Sequence, residues 1–197
     1  GSPRPASLTQ PVVFGAPLAV ILDLPQLTEA HVAHHPLIAA YARPWPGQMA
    51  VFRSPDQDGF NLLTSFTARA RMGVLAADLH AGPTSRFDYG NVVYVDLLTG
   101  TLESVTDLRL FRGENSIAVE QPSGAWELLQ FGEAELIAPG RYRLARLLRG
   151  QRGTDVDMAA MVPEGARVVV LDTAVNPLPI SEADLGLPWN WRVGPSS

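Results

Sequence analysis

The sequence predicts an all-β protein, and three observations carry that expectation. Seventeen glycines and seventeen prolines are scattered through 197 residues, cutting the chain into apolar runs too short for helices of about ten residues. Strong turn chemistry separates the runs, as in Pro44-Trp45-Pro46-Gly47 and Ser54-Pro55-Asp56-Gln57-Asp58-Gly59. Phe66, Ala68 and Ala70 alternate with Thr67, Arg69 and Arg71, the period of a half-buried strand. The expected architecture is two small β-barrel or β-sandwich-like units with short helical turns.

Taken in order, Gly1-Ser2 reads as the remnant of a removed purification tag, so the natural chain is expected to extend further. Residues 1–7 form that scar and an extended linker ending in Pro3-Arg4-Pro5-Ala6-Ser7. Val12-Val13-Phe14 and Leu18 to Leu22 read as strands, and Leu27 to His35 as one or two helical turns stopped by Pro36. Leu37 to Tyr41, Gln48 to Arg53, Phe60 to Arg69, Met72 to Leu79 and Val92 to Leu98 continue as strands. A soft boundary at Phe111-Arg112-Gly113-Glu114-Asn115 divides a β-rich domain, 8–112, from a barrel-like domain, 113–197. In the second, Ser116 to Glu120, Trp126 to Ile137, Tyr142 to Leu148 and Arg167 to Leu171 are strands. The middle pair forms a hairpin around Ala138-Pro139-Gly140. Asp155 to Met161 is expected to be helical.

Composition excludes several classes. Hydrophobic residues make up 46% and charged residues 18%, a globular balance, and the formal net charge of −5 provides no footprint for nucleic acid. Cysteine is absent, which removes disulfides, thiolate metal sites and a cysteine nucleophile. No apolar stretch has the length of a membrane-spanning helix, no signal peptide opens the chain, and membrane insertion is not expected. All 15 basic residues are Arg, whose forked guanidinium pairs bidentately with carboxylates.

The chemistry-bearing groups are sparse. His31, His34 and His35 cluster, but Val32 stands where a metalloprotease helix needs Glu, so no metal is expected. Asp56 and Asp58 begin like a calcium loop and lack its closing Glu; an Asp-rich turn is the reading. Glu133 and Glu135 share one strand face and read as solvated rather than as a glycosidase pair. No Gly-x-Ser-x-Gly elbow appears. No catalytic residue and no cofactor is expected. Trp45, Trp189 and Trp191 are candidates for contact with a glycan or partner, although packing is the commoner role of such rings. Trp126 reads as core. Arg141, Arg143, Arg146, Arg149 and Arg152 form an acid-free run, and with Arg141 and Arg143 pointing away from Tyr142 and Leu144 they are candidate assembly contacts.

Several stretches are familiar. Glu114-Asn115-Ser116-Ile117-Ala118-Val119, Trp126 to Phe131 and Ala134 to Leu144 run into Leu147-Leu148-Arg149-Gly150-Gln151-Arg152-Gly153-Thr154-Asp155. With Pro163 to Asp172 and Trp191-Arg192-Val193-Gly194-Pro195, they resemble the C-terminal region of the large multidomain baseplate (host-specificity or tail-tip) protein of gene transfer agents and related tailed phages. The strong part covers residues 113 to 195. Locally, Gly150 and Gly153 allow positive φ in a tight exit loop, and Thr154 or Asp155 can cap the turn that follows.

The resemblance implies a structural module of a contractionless tail tip, assembled in the bacterial cytoplasm and acting at the recipient cell surface. Its partners would be other tail subunits and, through the carbohydrate-binding alternative, a surface polysaccharide. Relatives carry a glycosidase-like barrel upstream, an activity not carried over here. An envelope-degrading enzyme ranks last, because the residues offer no converging carboxylate pair.

Overall fold

Strict alternation, with apolar side chains on one or both faces, decides where each strand lies. A computed structural model describes residues 17–29, 32, 35–184 and 187–196. In chain order its strands are β1 (Leu18–Leu22), β2 (Leu37–Tyr41), β3 (Met49–Ser54), β4 (Asn61–Phe66), β5 (Met72–Leu75), β6 (Leu79–His80) and β7 (Val93–Leu97). A single-turn helix, α1 (Asp107–Phe111), precedes β8 (Ser116–Glu120), β9 (Trp126–Ala138) and β10 (Arg141–Leu148). The series ends with β11 (Met161–Val162), β12 (Arg167–Val170), β13 (Asn176–Pro177) and β14 (Asn190–Pro195). The all-β expectation holds.

Six strands close an antiparallel barrel in the order β10-β7-β5-β12-β8-β9. Its interior is filled by the inward residues of each strand: Val93 and Val95, Ile117 and Val119, Leu129 and Phe131, Tyr142 and Leu144, Val168 and Val170. Burying each such side chain contributes about 1.5–3 kcal/mol. The barrel draws β5 and β7 from before Arg112 and β8, β9, β10 and β12 from after it, so its strands straddle the boundary placed there by sequence.

The remaining strands form open layers rather than a second barrel. A three-stranded sheet, β1-β2-β13, lies on the outside of the barrel, and a second, β14-β3-β4, lies beyond it. The middle strand explains the stacking. Leu37 and Ala39 of β2 pack with Ala118, Trp126, Leu128 and Val169 on the barrel's outer surface. Ile38 and Ala40, on its other face, pack with Met49, Val51, Phe66 and Leu178. A strand covered on both sides reads as a continuous apolar run, and Leu-Ile-Ala-Ala is such a run. The barrel strands beneath it share the property, as Val168-Val169-Val170 and Ile117-Ala118-Val119 do.

Some expectations need correction. The strand predicted over Phe60 to Arg69 ends at Phe66, because the following residues cross from the outer sheet to the barrel, where the Ala70 amide donates to the Ala40 carbonyl. The helix predicted over Asp155 to Met161 is instead a 3-10 turn over Gln151–Asp157, bent by positive φ at Arg152 and Gly153. Helix α1 was not predicted; Thr106 caps it by accepting from the Arg109 amide. Val12 to Phe14, His31 and His34 lie outside the described residues, and of the predicted helix Leu27 is irregular while Thr28 and Glu29 form a bend and a turn.

The two-sided burial has a measurable consequence. Ala118 is fully buried between barrel and sheet, so Ala118→Leu is expected to cost about 1–3 kcal/mol by overpacking. Leu62→Ala, on the exposed face of β4, should stay within about 0.5 kcal/mol. Urea unfolding of the two variants checks both.

Candidate functional site

Two features stand out at the barrel end where β9 begins and β10 ends: a buried ion cluster and a groove beside it. Glu127 continues the inward series of Leu129 and Phe131, so alternation drives a carboxylate into the barrel end. There Arg149 meets it, with Nε 3.0 Å from Oε1 and 3.3 Å from Oε2. The same guanidinium donates through Nη1 to Asp88 Oδ2 at 3.0 Å and to the His80 carbonyl at 2.8 Å. Relative exposure is 1% for Arg149, 0% for Glu127 and 2% for Asp88. A Cβ added at Gly82 would run into the Asp88 carboxylate and the Arg149 guanidinium, so only glycine lets that segment pass.

One guanidinium faces two carboxylates, and the surroundings decide how they divide its charge. Burial pushes the Asp88 carboxyl up, but donors from Asn91, Arg149 and Gly90 outweigh it and hold the group below the usual carboxylate value. For Glu127 desolvation wins over the attraction of Arg149 and the Gly150 amide, and the nearby Asp88 charge adds to it, so its carboxyl sits above its ordinary value.

The Leu147-to-Thr154 motif is the clasp that builds this corner. Leu147 fills the core and its backbone bridges to Asp88. Gly150 takes a left-handed conformation, φ 55°, as the sequence suggested, and Gly153 follows at φ 80°. Thr154 Oγ1 accepts from the Leu128 amide at 2.9 Å and donates to the Gln151 carbonyl at 2.7 Å. It thus fixes the turn to the outer side of β9.

The other arginines of the run go separate ways. Arg141 pairs bidentately across the ladder with Asp96, at 2.7 and 3.0 Å, and Arg146 pairs with Asp107 and donates to the Val105 carbonyl. Arg143 is half-buried directly opposite Glu135 and Tyr94 in the register. Arg152 is exposed and donates to the Gln26 carbonyl. Of the five, Arg149 alone is turned fully inward, so the run is not one exposed edge.

The tryptophans sit on the outer layers. Trp45 and Trp191 are partly buried against the core shared by β2 and β3, and Trp45 Nε1 donates to the Thr67 carbonyl. Trp189 lies under the Arg53 guanidinium, 4.3 Å from its ring centroid, while Arg53 also pairs with Asp184. Trp126 is core. Asp56 and Asp58 belong to a turn tied by Ser54 Oγ, which donates to the Asp58 carbonyl. Among the described residues no group of three or more His, Asp or Glu is placed to hold a metal ion.

Exposed aromatics lie elsewhere, where the sequence reading did not look. Phe111 is 68% and Tyr89 73% exposed; Phe87 touches both, with ring centroids 6.3 and 5.8 Å away. The alternation in Phe87-Asp88-Tyr89 was the available signal, since one buried residue between two rings sends both rings to the opposite side. Phe111 also lines a groove of about 820 Å³ between the barrel, the end of α1 and the β1-β2-β13 sheet. Its walls include Arg112, Ser116, Gln130, Arg152 and Thr173 over an apolar floor containing Leu148 and Leu171.

Residues 70–169 match the family model described as Rcc01698-like, C-terminal. The matched stretch begins just before β5 and ends inside β12, which is the span of the barrel. No curated protein matches.

Two outcomes follow from the ion cluster. Arg149→Met would leave two buried carboxylates facing each other, and is expected to cost about 3–5 kcal/mol in urea unfolding. Because the Glu127 carboxyl is raised, its protonation contributes stability that is full below the unfolded value of 4.5 and is lost as pH rises through the higher folded value. The stability of the natural chain measured relative to Glu127→Gln should therefore fall from pH 4.5 towards neutrality. A relative stability that rises instead would mean that Glu127 is held ionised.

Proposed function

We propose that this chain, which belongs to the Rcc01698-like, C-terminal family, is a structural module of a phage-like particle, in the baseplate or tail tip of a gene transfer agent. It would act by binding other tail subunits and carry no catalysis of its own. The particle would be assembled in the bacterial cytoplasm, and the module would work at the recipient cell surface.

One observation carries this reading. Strand β9 is 13 residues long, and its outer half runs on past its pairing with β8, alongside the barrel strand β10. This outer half holds Leu136, 60% exposed, and Ile137, 44% exposed. Among the described residues, β9 beyond Ala134 has a strand neighbour only on its β10 side. An open strand edge bearing exposed aliphatic side chains is a surface that a neighbouring subunit would cover. The resemblance of residues 113 to 195 to tail-tip proteins supplies the kind of neighbour. Arg141 and Arg143, opposite Ala138 and Glu135 near the hairpin turn, remain the candidate polar contacts.

The test is incorporation. Particles purified from a host encoding this chain are expected to contain it, by mass spectrometry, with antibody label at the tail tip. The double substitution Leu136→Asp and Ile137→Asp should reduce incorporation at least about tenfold, as removal of a central apolar contact does, and should leave the unfolding curve of the purified chain unchanged. Particles that lack the chain would falsify the assignment.

A further inference from the structure

The groove beside the ion cluster combines features that the assembly reading does not use. In a chain of formal net charge −5, carboxylates among the described residues neutralise seven of the fifteen arginines: Arg53, Arg71, Arg109, Arg141, Arg146, Arg149 and Arg167 all have acidic partners. The two arginines lining the groove do not. Arg112 makes no side-chain hydrogen bond or ion pair among the described residues, and Arg152 gives one nitrogen to the Gln26 carbonyl, 3.1 Å away. Asp172, the one acid among the described lining residues, is already paired with Arg71 at 3.1 Å. The lining therefore presents two unneutralised guanidinium groups to whatever enters, and a planar fork of donors favours carboxylates.

The rest of the lining narrows the chemistry. The exposed Phe111 ring is part of the lining, and Phe87 and then Tyr89 extend the aromatic surface beyond it. Such a ledge suits the apolar face of a pyranose, which stacks on an aromatic ring. Gln130 spends its amide hydrogens on the Leu110 and Glu114 carbonyls, at 2.6 and 2.9 Å, which leaves Oε1 to accept. Ser116 and Thr173 add hydroxyls that both donate and accept. The volume, about 820 Å³, lies within the range of about 300–1,000 Å³ typical of small-ligand clefts.

An acidic peptide is the competing occupant, and the groove's strand wall argues against it. A peptide that adds to a sheet edge needs free backbone donors. Along β13 the Ala174 and Val175 amides are held by Asp172, the Leu178 amide by the Pro36 carbonyl, and Pro177 has none. We propose that this groove binds an acidic oligosaccharide: Arg112 and Arg152 take the carboxylates of uronate-type sugars, and Phe111 with Tyr89 stacks on their rings. The inference stands on this face of the barrel alone and does not rest on the assembly reading.

Calorimetric titration of the whole chain tests it with three probes: tetragalacturonate, its fully methyl-esterified form, and a tetraglutamate peptide. The expected result is saturable binding of tetragalacturonate that weakens with salt and is not matched by the ester or the peptide. The double substitution Arg112→Ala and Arg152→Ala should weaken it at least about tenfold, consistent with the loss of charge-assisted bonds. Phe111→Ala should weaken it several-fold. All three side chains are exposed, so the variants are expected to keep the natural urea midpoint. Absence of heat with tetragalacturonate, or affinity unchanged in the double variant, overturns the proposal. Equal binding of tetraglutamate also overturns it, by making the groove a general anion site.

Discussion

The architecture depends on a single guanidinium buried at the barrel end where β9 begins and β10 ends. A six-stranded antiparallel barrel has a narrow interior, and aliphatic side chains fill most of it. Its end still has to be closed, and here closure falls to polar groups. Arg149 joins Glu127 of β9, Asp88 of the segment before β7 and the carbonyl of β6 into one corner. An ion cluster of this kind adds little net stability compared with a well-packed apolar plug. What it adds is direction: a fixed fork bonded to Glu127, Asp88 and the His80 carbonyl places the loop at 81–91 and the turn at 151–157 in one arrangement. The aromatic ledge and the groove are built on those two segments and on α1, so the surface chemistry inherits its geometry from the buried charge.

The same economy appears in the layers outside the barrel. Where the β1-β2-β13 sheet lies on the barrel, the facing residues include Ala39, Ala118 and Ala174. Small side chains let two sheets approach closely, and the larger Trp126, Leu128 and Met72 fill the spaces between them. Beyond β2 the pattern repeats with Ala40 and Ala42 against Met49, Val51 and Phe66. One five-residue strand thus belongs to two cores, and the molecule is held as a stack and not as separate units.

Much of this was legible in the chain. Runs such as Leu37 to Tyr41 and Ser116 to Glu120 coincide with strands end to end, because glycine and proline bracket them and alternation or continuous apolarity fills them. Positive φ at Gly150 and Gly153 was readable from the motif. The partition of strands was not, since closing a barrel is a long-range event: nothing local in Met72 to Leu75 says that its partners are β7 and β12. The helical expectation after Gly150 failed because two successive left-handed residues bend the chain within the turn. Charge was misread for a related reason. Spacing alone groups Arg141 to Arg152 as one surface, whereas the irregularity at Arg146, with φ 53°, and the end of the strand send these side chains to different places. Phe87, Tyr89 and Phe111 escaped notice because they are distant in sequence and meet only across the folded surface.

The pairing of β14 with β3 sets an order on the folding of the chain. The hairpins β1–β2, β3–β4 and β9–β10 join neighbours in sequence, and each can form as soon as it leaves the ribosome. Barrel closure needs β12 to slip between β5 and β8, and the outer sheet is completed only when Asn190–Pro195 meets Met49–Ser54. Loop closure over such separations is slow. The apolar faces of β2 and β3 must therefore wait, partly uncovered, while the barrel strands are made, and the outer sheet gains β14 only after the described strands before it have emerged.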